Sequence, residues 1–338
     1  MADREFVFGH PAVQKILREK FILVAADDWY QRRQKDPVGV FFRAVADQGP
    51  RKGAAQGTSQ GRYTFTASGK LLGFNNNRDP RRIIAMLEDS VRRYEALPAA
   101  ERRPGEISVP ALARGERDPR YTRSVEDDTV PVKVHSRVLR KEGESYVACG
   151  GPETGTAGFR HQGFGVATDH LWIKEAELAQ LTSPAPPENG RKIPAPLAMR
   201  LARFHLVDNT RGEPPHWRRN EVREIEIYIS PGPGPGIQPC QKSYRIQGRF
   251  HLETADGGRG FEGEMDGVIR TRTKDQKLNL HLVAVGNHWG EGPYTRGARP
   301  GRNPLAIVFT PGDRNDVRDR VPPQAARWEQ GYWEADRH

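Results

Sequence analysis

Apolar positions in the first hundred residues follow two different spacings. Three segments, which begin at Pro11, Pro37 and Pro80, carry apolar side chains three or four positions apart, as in an amphipathic helix with proline at its first position. We expect three helices here. Their expected buried residues are Val13, Ile16 and Leu17 in the first, Val38, Phe41, Phe42 and Val45 in the second, and Ile83, Ile84, Leu87, Val91 and Tyr94 in the third.

Between these helices the pattern predicts strands. Phe21–Ala26 is a short, continuous apolar run, which is typical of a strand that is buried on both faces. Arg62–Thr66 and Lys70–Phe74 flank a turn that ends in glycine, so they predict a β-hairpin. The order of helix, strand, helix, hairpin and helix favours an α/β domain over residues 1–97.

The rest of the chain is dominated by alternating patterns. Residues 98–130 are polar and contain proline, so they predict a linker. Residues 131–312 predict a β-rich, α+β domain whose main sheet is an antiparallel meander with one polar face. Its expected strands are Pro131–Arg140, Ser145–Ala148, Glu221–Ile229, Tyr244–Glu253, Gly260–Arg272, Lys277–Gly286 and Leu305–Phe309, and its expected helices are Lys174–Leu181 and Pro194–Val207. Residues 313–338 predict a loosely ordered polar tail that Trp328, Tyr332 and Trp333 could hold to the domain.

The first 97 residues resemble the thioredoxin-like family. Two stretches carry the resemblance: a helix and strand that follow the position of the family's dithiol, and the strand and hairpin that come later in the fold. In this chain they are Asp3–Phe6, Gly9–Val13 and Phe21–Asp27, then Gly57–Phe65 with Gly69 and Lys70. The resemblance implies a thioredoxin-like N-terminal domain, and it covers less than a third of the chain.

The chain departs from that family at two points. It has no Cys-x-x-Cys, since its two cysteines are Cys149 and Cys240, and Ser59 stands where the family has a cis-proline. The resemblance therefore implies a non-redox module. The strands that precede the dithiol in a complete thioredoxin sheet are also absent, which would leave an open sheet edge along Phe21–Ala26. We expect this edge to be covered by part of residues 99–145, by another protein or a second copy of the chain, or by residues that are missing because the chain is a truncated form.

Composition and charge narrow the function classes. No apolar run is long enough to span a membrane, and the N-terminal residues do not resemble a secretory signal, so the simplest location is cytoplasmic. Two cysteines exclude a disulfide framework. The net charge of +10 is spread over a surface where acidic and basic residues alternate, which weighs against nucleic-acid binding. No nucleophile-elbow, zinc-protease or phosphate-loop motif is present, and the sequence indicates no cofactor.

Two loops that each contain a His-Trp pair form the candidate binding pocket. The first follows the predicted helix Pro194–Val207, and the second follows a meander strand. Their candidate residues are His205, Asp208, Arg211, Glu213, His216 and Trp217 in the first, and His288, Trp289 and Glu291 in the second. Loops on a rigid scaffold are common places for binding residues. The alternative is structural: the tryptophans would cap the ends of the sheet and the histidines would bond to its backbone.

A shared metal site on the sheet face is excluded by spacing. We expect His251 to lie opposite position 262 and His281 opposite position 268 on the intervening strand. Those positions are about 20 Å apart at roughly 3.3 Å per residue. Zinc ligands must lie within about 2.3 Å of the ion, so this pair of histidines cannot share one.

Two hypotheses follow from the sequence. The first is a non-redox, thioredoxin-like module fused to a β-rich domain, acting as a binding or assembly protein. The second is an enzyme of the C-terminal domain, metal-assisted or acid–base, whose site is built from the two His-Trp loops. The enzyme hypothesis requires that the two loops meet in space.

Overall fold

The computed structural model describes residues 7–53, 57–102, 126–149, 165–232, 241–272, 278–316 and 318–337. It divides into two compact units, an N-terminal unit, Asp3–Arg123, and a C-terminal unit, Ser124–His338. The motif Asp3–Phe6, Cys240 and the predicted strand start at Lys277 lie outside the described residues. So does most of the predicted linker, and its last two residues, 129 and 130, belong to a strand.

The N-terminal unit consists of helices and one hairpin. Its elements are α1 Pro11–Lys20, α2 Asp28–Gln31, α3 Pro37–Ala46, β1 Arg62–Phe65, β2 Leu71–Asn75 and α4 Pro80–Glu95. The three longer helices begin at the predicted prolines. Two of them are capped by the preceding aspartate: the Asp36 side chain accepts from Gly39 N at 3.0 Å, and Asp79 accepts from Arg81 N at 3.0 Å. The hairpin is antiparallel, as its sequence predicts.

The predicted buried strand Phe21–Ala26 is wrong. The segment lies between α1 and α2 without regular secondary structure, and Ile22, Leu23 and Val24 are 97%, 60% and 75% exposed. The physical reason is the lack of a neighbouring strand: among the described residues of this unit, β1 and β2 pair only with each other. The segment is therefore not the edge of a sheet but an isolated apolar segment.

The C-terminal unit contains a nine-stranded antiparallel sheet. Its strands are β3 Thr129–Glu142, β4 Ser145–Ala148, β5 Val166–Lys174, β6 Arg191–Lys192, β7 Val222–Pro231, β8 Gln241–Glu253, β9 Gly260–Arg272, β10 Leu278–Trp289 and β11 Asn303–Pro311. Strands β7 to β11 form the predicted meander, and β3 joins it beside β11. Strands β4 and β5 pair with successive parts of β3. The sequence did not predict β5, because its apolar and polar positions do not alternate cleanly.

Helices and the sheet share one hydrophobic core. The described helical elements are α5 Glu175–Thr182, α6 Ala195–Arg200, a π-helical turn Leu201–His205, the 3₁₀ turns Arg219–Glu221 and Gln324–Arg327, and α7 Glu329–Trp333. Alternate residues of each meander strand, such as Ile227 and Ile229, join the buried cluster. Their neighbours, Glu226 and Tyr228 among them, form the polar face on the other side.

The predicted polar tail is part of this core. Tyr332 and Ala335 are fully buried, and the Tyr332 hydroxyl accepts a hydrogen bond from Trp172 N on β5 at 3.0 Å. Trp333 stacks on Trp172, with ring centroids 6.5 Å apart. The aromatic residues hold the segment, as expected, and they do so from within the core. The prediction that residues 313–338 are loosely ordered is therefore wrong for the segment around Tyr332 and Ala335.

Arg200, at the end of α6, connects the C-terminal segment to the sheet. Its side chain is 1% exposed, and every N–H of its guanidinium has an acceptor. Nε donates to Tyr332 O at 3.0 Å. One terminal nitrogen donates to Trp172 O at 3.2 Å and to Glu177 Oε2 at 2.8 Å. The other donates to Glu177 Oε1 at 2.7 Å and to Trp333 O at 3.2 Å. A single buried cation thus links α6 to β5, α5 and α7.

Replacing Arg200 should destabilise the C-terminal unit strongly. We expect Arg200→Ala to lower the free energy of unfolding by about 3 kcal/mol or more, because it leaves the Glu177 carboxylate and three carbonyl groups without their donor. The matched control is Arg249→Ala, which removes an arginine that is 66% exposed and paired with Glu224 and Glu226 on the sheet face. Arg249→Ala should lower the free energy of unfolding by about 1 kcal/mol or less. Urea denaturation of the full chain measures both, and equal losses would contradict the role of Arg200.

Candidate functional site

His205 faces the core rather than the candidate pocket. It lies in the π-helical turn, is 2% exposed, and its Nε2 is 3.0 Å from the Tyr332 hydroxyl. The Tyr332 hydroxyl therefore bonds both to Trp172 N and to the His205 ring. Burial holds the pKa of His205 well below its usual range, so the ring is neutral. His205 therefore positions Tyr332 and is not grouped with the loop residues.

Asp208 is held by its own loop. Its Oδ1 accepts from the backbone N of Thr210 at 3.0 Å and from the Thr210 hydroxyl at 2.6 Å. Its Oδ2 accepts from Arg211 Nε at 2.9 Å and lies 4.0 Å from His288 Nδ1. Burial acts to raise the pKa of Asp208, but His288 in its protonated form, the charge of Arg211 and these hydrogen bonds bring it below its usual value. The carboxylate is therefore ionised and fully engaged.

Arg211 connects the two His-Trp loops. Besides Asp208, its guanidinium donates to Gly290 O at 3.0 Å and to Thr295 O, both in the second loop. Gly290 has a φ of +76°, and a Cβ there would lie 2.0 Å from Gly258 O, so only glycine fits this position. The two loops therefore meet, and Asp208, Arg211 and His288 are brought together where they do.

The two tryptophans are bonded to backbone carbonyl groups. Trp217 is 1% exposed and donates from Nε1 to Leu206 O at 2.8 Å, and Arg259 lies over its ring at 3.9 Å. Trp289 donates from Nε1 to Gly257 O at 3.0 Å. Both rings thus close the end of the sheet, as the structural alternative expects.

The remaining candidates also bond within the chain. Glu291 accepts from the backbone N of Gly297 at 2.7 Å and of Ala298 at 3.3 Å. Glu213 pairs with Arg327, which belongs to the 3₁₀ turn near the C-terminus. These carboxylates hold loops together and are not aimed at a common point.

The two loop histidines are neutral at pH 7. Burial, helped by the charge of Arg203, lowers the pKa of His216 to about 4. Burial also lowers the pKa of His288 to about 4, although Asp208 acts in the opposite direction. His216 packs edge-on against Phe204, with ring centroids 5.0 Å apart.

Metal ligands do not cluster in the described residues: no group of three or more His, Cys, Asp or Glu side chains is placed to hold a metal ion there. The predicted register of the sheet-face histidines is confirmed, since His251 pairs with Glu262 and His281 with Val268. Cys149 is a free, half-buried thiol that accepts a hydrogen bond from Arg299 at 3.6 Å.

An open groove lies beside the first loop, and sequence reasoning missed it. Its volume is about 690 Å³, and it is lined by Arg203, Arg218, Arg219, Asn220 and Trp328. The pair Arg218-Arg219 directly follows His216-Trp217, so the sequence did indicate positive charge next to the first loop. Trp328 comes from the segment expected to be loose, so only the fold brings the groove together.

Comparison with known proteins gives no relative. Neither protein-family models, nor curated proteins, nor solved structures match this chain. In the described residues, the helices are too short or too polar for any of them to cross a membrane.

The buried histidines should make stability fall with acid. In the unfolded chain histidine has a pKa near 6.5, whereas folded His216 and His288 take up a proton only near pH 4. Protons therefore favour unfolding between these values. The contribution of these two histidines to the free energy of unfolding is complete above about pH 6.5. As the pH falls from there to 4, each histidine should lower the free energy of unfolding by up to about 1.4 kcal/mol per pH unit.

Denaturant titrations at pH 7, 6, 5 and 4 measure this slope. His216→Gln and His288→Gln should each flatten it. The control His281→Gln removes an exposed histidine from the sheet face and should leave the slope as it is. A wild-type free energy of unfolding that stays constant from pH 7 to 4 would show that these histidines are not buried as described.

Proposed function

We propose that this chain is a binding or assembly protein whose segment Phe21–Ala26 pairs with the same segment of a second copy. The observation that carries the proposal is the exposure of Ile22, Leu23 and Val24, three consecutive large apolar side chains. Isolated exposed apolar residues are ordinary on a protein surface, but a contiguous apolar segment marks an interaction site.

The backbone of the segment is also suited to pairing. Phe21 is extended, with φ −133° and ψ 149°, and Asp27 at the other end has φ −91° and ψ 119°. Within the described part of the chain, residues 22–26 form no backbone hydrogen bond, whereas the flanking Phe21 N–H and Asp27 C=O bond to the adjacent helices. An extended segment with unpaired N–H and C=O groups can add to another strand through its main chain.

Charge favours a second copy as the occupant. Residues 21–26 carry no charge, while Lys20 precedes them and Asp27 follows them. Antiparallel pairing about a two-fold axis, with Leu23 of one copy opposite Val24 of the other, brings Lys20 of each copy next to Asp27 of the other. Opposite charges at both ends of an apolar pair favour this register.

We also propose that the N-terminal unit is a non-redox, thioredoxin-like module and that the protein is cytoplasmic. Its support is the lack of a Cys-x-x-Cys and the order of helices and hairpin in this unit. The family resemblance places a strand at Phe21–Ala26, and in this proposal the second copy supplies the neighbour that such a strand needs.

The enzyme alternative has less support from the site. Asp208, Arg211 and Glu291 bond to backbone groups or to each other, and the loop histidines have lowered pKa values through burial. This pattern is that of residues that hold two loops together. The two loop histidines, whose pKa is lowered to about 4, are poor general bases near pH 7.

Charged substitutions in the segment should abolish self-association. We expect the wild-type full chain to associate as its concentration rises, and Ile22→Asp with Val24→Asp to remain monomeric, because pairing would desolvate the introduced carboxylates opposite Ala25 and Leu23 of the other copy. The matched control is Val40→Asp, which charges an exposed apolar residue on α3 and should associate as the wild type does. Sedimentation velocity over a range of concentrations distinguishes them. A wild-type monomer at every concentration, or a double variant that associates like the wild type, would refute the proposal.

A further inference from the structure

The groove beside the first His-Trp loop brings three arginine residues together. Three of its lining residues are Arg203, Arg218 and Arg219. None of the three forms an ion pair with a carboxylate in the described part of the chain, and the neighbouring Glu221 carboxylate accepts from the backbone N of Arg218 at 2.8 Å. Like charges that converge repel one another, and a bound anion relieves this repulsion.

Arg203 forms a fixed floor for the groove. Its residue is 4% exposed, its Nε donates to Trp217 O at 3.0 Å, and one terminal nitrogen donates to Ala335 O at 2.7 Å. The other terminal nitrogen has no hydrogen-bond partner within the described residues. Arg219 lines the same groove, and its charge adds to burial in lowering the pKa of Arg203. A guanidinium that is already oriented loses little freedom when it binds an anion.

Trp328 forms an aromatic wall. Its ring lies against Gly331 of α7, where a Cβ would come within 2.3 Å of the ring atoms, so glycine allows this close contact. The Arg203 guanidinium carbon is 5.8 Å from the ring centroid. Trp328 is 46% exposed, which leaves part of a supported indole ring facing the solvent.

We propose that this groove binds a small phosphate ester that carries a flat ring, of the kind that a mononucleotide presents. Arg203 and Arg219 bind the phosphate, since guanidinium groups match its oxygen atoms with two parallel hydrogen bonds. Trp328 stacks on the ring. The groove is open to solvent, and Trp328 lies on its wall together with the three arginines, so an aromatic ring and an anion can be bound side by side.

His216 gives an internal reporter of this site. Arg203 is one of the charges that hold its pKa down, so an anion bound at Arg203 should raise the pKa of His216. The ring protons of His216 can be followed by NMR in the full chain.

Isothermal titration calorimetry of the full chain tests the proposal with three probes: AMP, ribose 5-phosphate, which lacks the ring, and adenosine, which lacks the phosphate. We expect AMP to bind at least about tenfold more tightly than either fragment. Arg219→Gln should weaken AMP binding about tenfold or more, and Trp328→Leu should weaken AMP without affecting ribose 5-phosphate. The control Arg270→Gln removes an exposed arginine of β9 and should leave the affinity for AMP and for ribose 5-phosphate unchanged.

Three results would overturn the proposal. These are no detectable AMP binding, AMP binding that Arg219→Gln reduces no more than Arg270→Gln does, and ribose 5-phosphate binding as tight as that of AMP. Circular dichroism of each variant shows that it is folded, and both Arg219 and Arg270 are exposed, so neither substitution disturbs the core. None of these outcomes depends on self-association through Phe21–Ala26.

Discussion

A buried guanidinium must find an acceptor for each of its N–H groups, and this requirement organises the C-terminal unit. Arg200 satisfies it with a carboxylate from α5 and with carbonyl groups from β5 and the C-terminal segment. Once those partners are in place, Tyr332 lies under β5, bonded to Trp172 N and His205. The same packing leads the chain from the π-helical turn into the first His-Trp loop and places Trp328 at the groove. A single buried cation therefore joins α5, α6, β5 and the C-terminal segment.

The N-terminal unit buries part of its apolar side chains and leaves one apolar segment exposed. Its helices bury Val13, Val45, Ile83 and Leu87, yet Phe21–Ala26 remains extended and exposed. The C-terminal unit thus covers apolar surface with its own C-terminal segment, whereas the N-terminal unit leaves Ile22, Leu23 and Val24 exposed. The proposed self-association follows from this contrast, and the proposed anion site belongs to the unit that is complete by itself.

Much of the fold could be predicted from local pattern. Alternation over 221–229 predicted the meander and its polar face, and the bounds Gly260–Arg272 match β9. Periodicity reports which side of an element is apolar, but not whether a neighbouring strand exists, which is why the prediction for Phe21–Ala26 was wrong. Nor does it distinguish the buried Arg200 from the exposed Arg249. At the site, His288 and Asp208 were predicted together, whereas His205 faces the core because the π-helical turn rotates it towards Tyr332.

Hydrogen exchange of the full chain, measured by mass spectrometry in dilute solution, tests the contrast between the two units directly. We expect the amides of residues 22–26 to exchange nearly as fast as those of an unstructured peptide, because no backbone acceptor pairs with them in the described monomer. The amides of residues 329–335 should exchange only when the whole C-terminal unit unfolds. Protection of residues 22–26 in the dilute monomer, or exchange of residues 329–335 as fast as that of residues 22–26, would contradict this account.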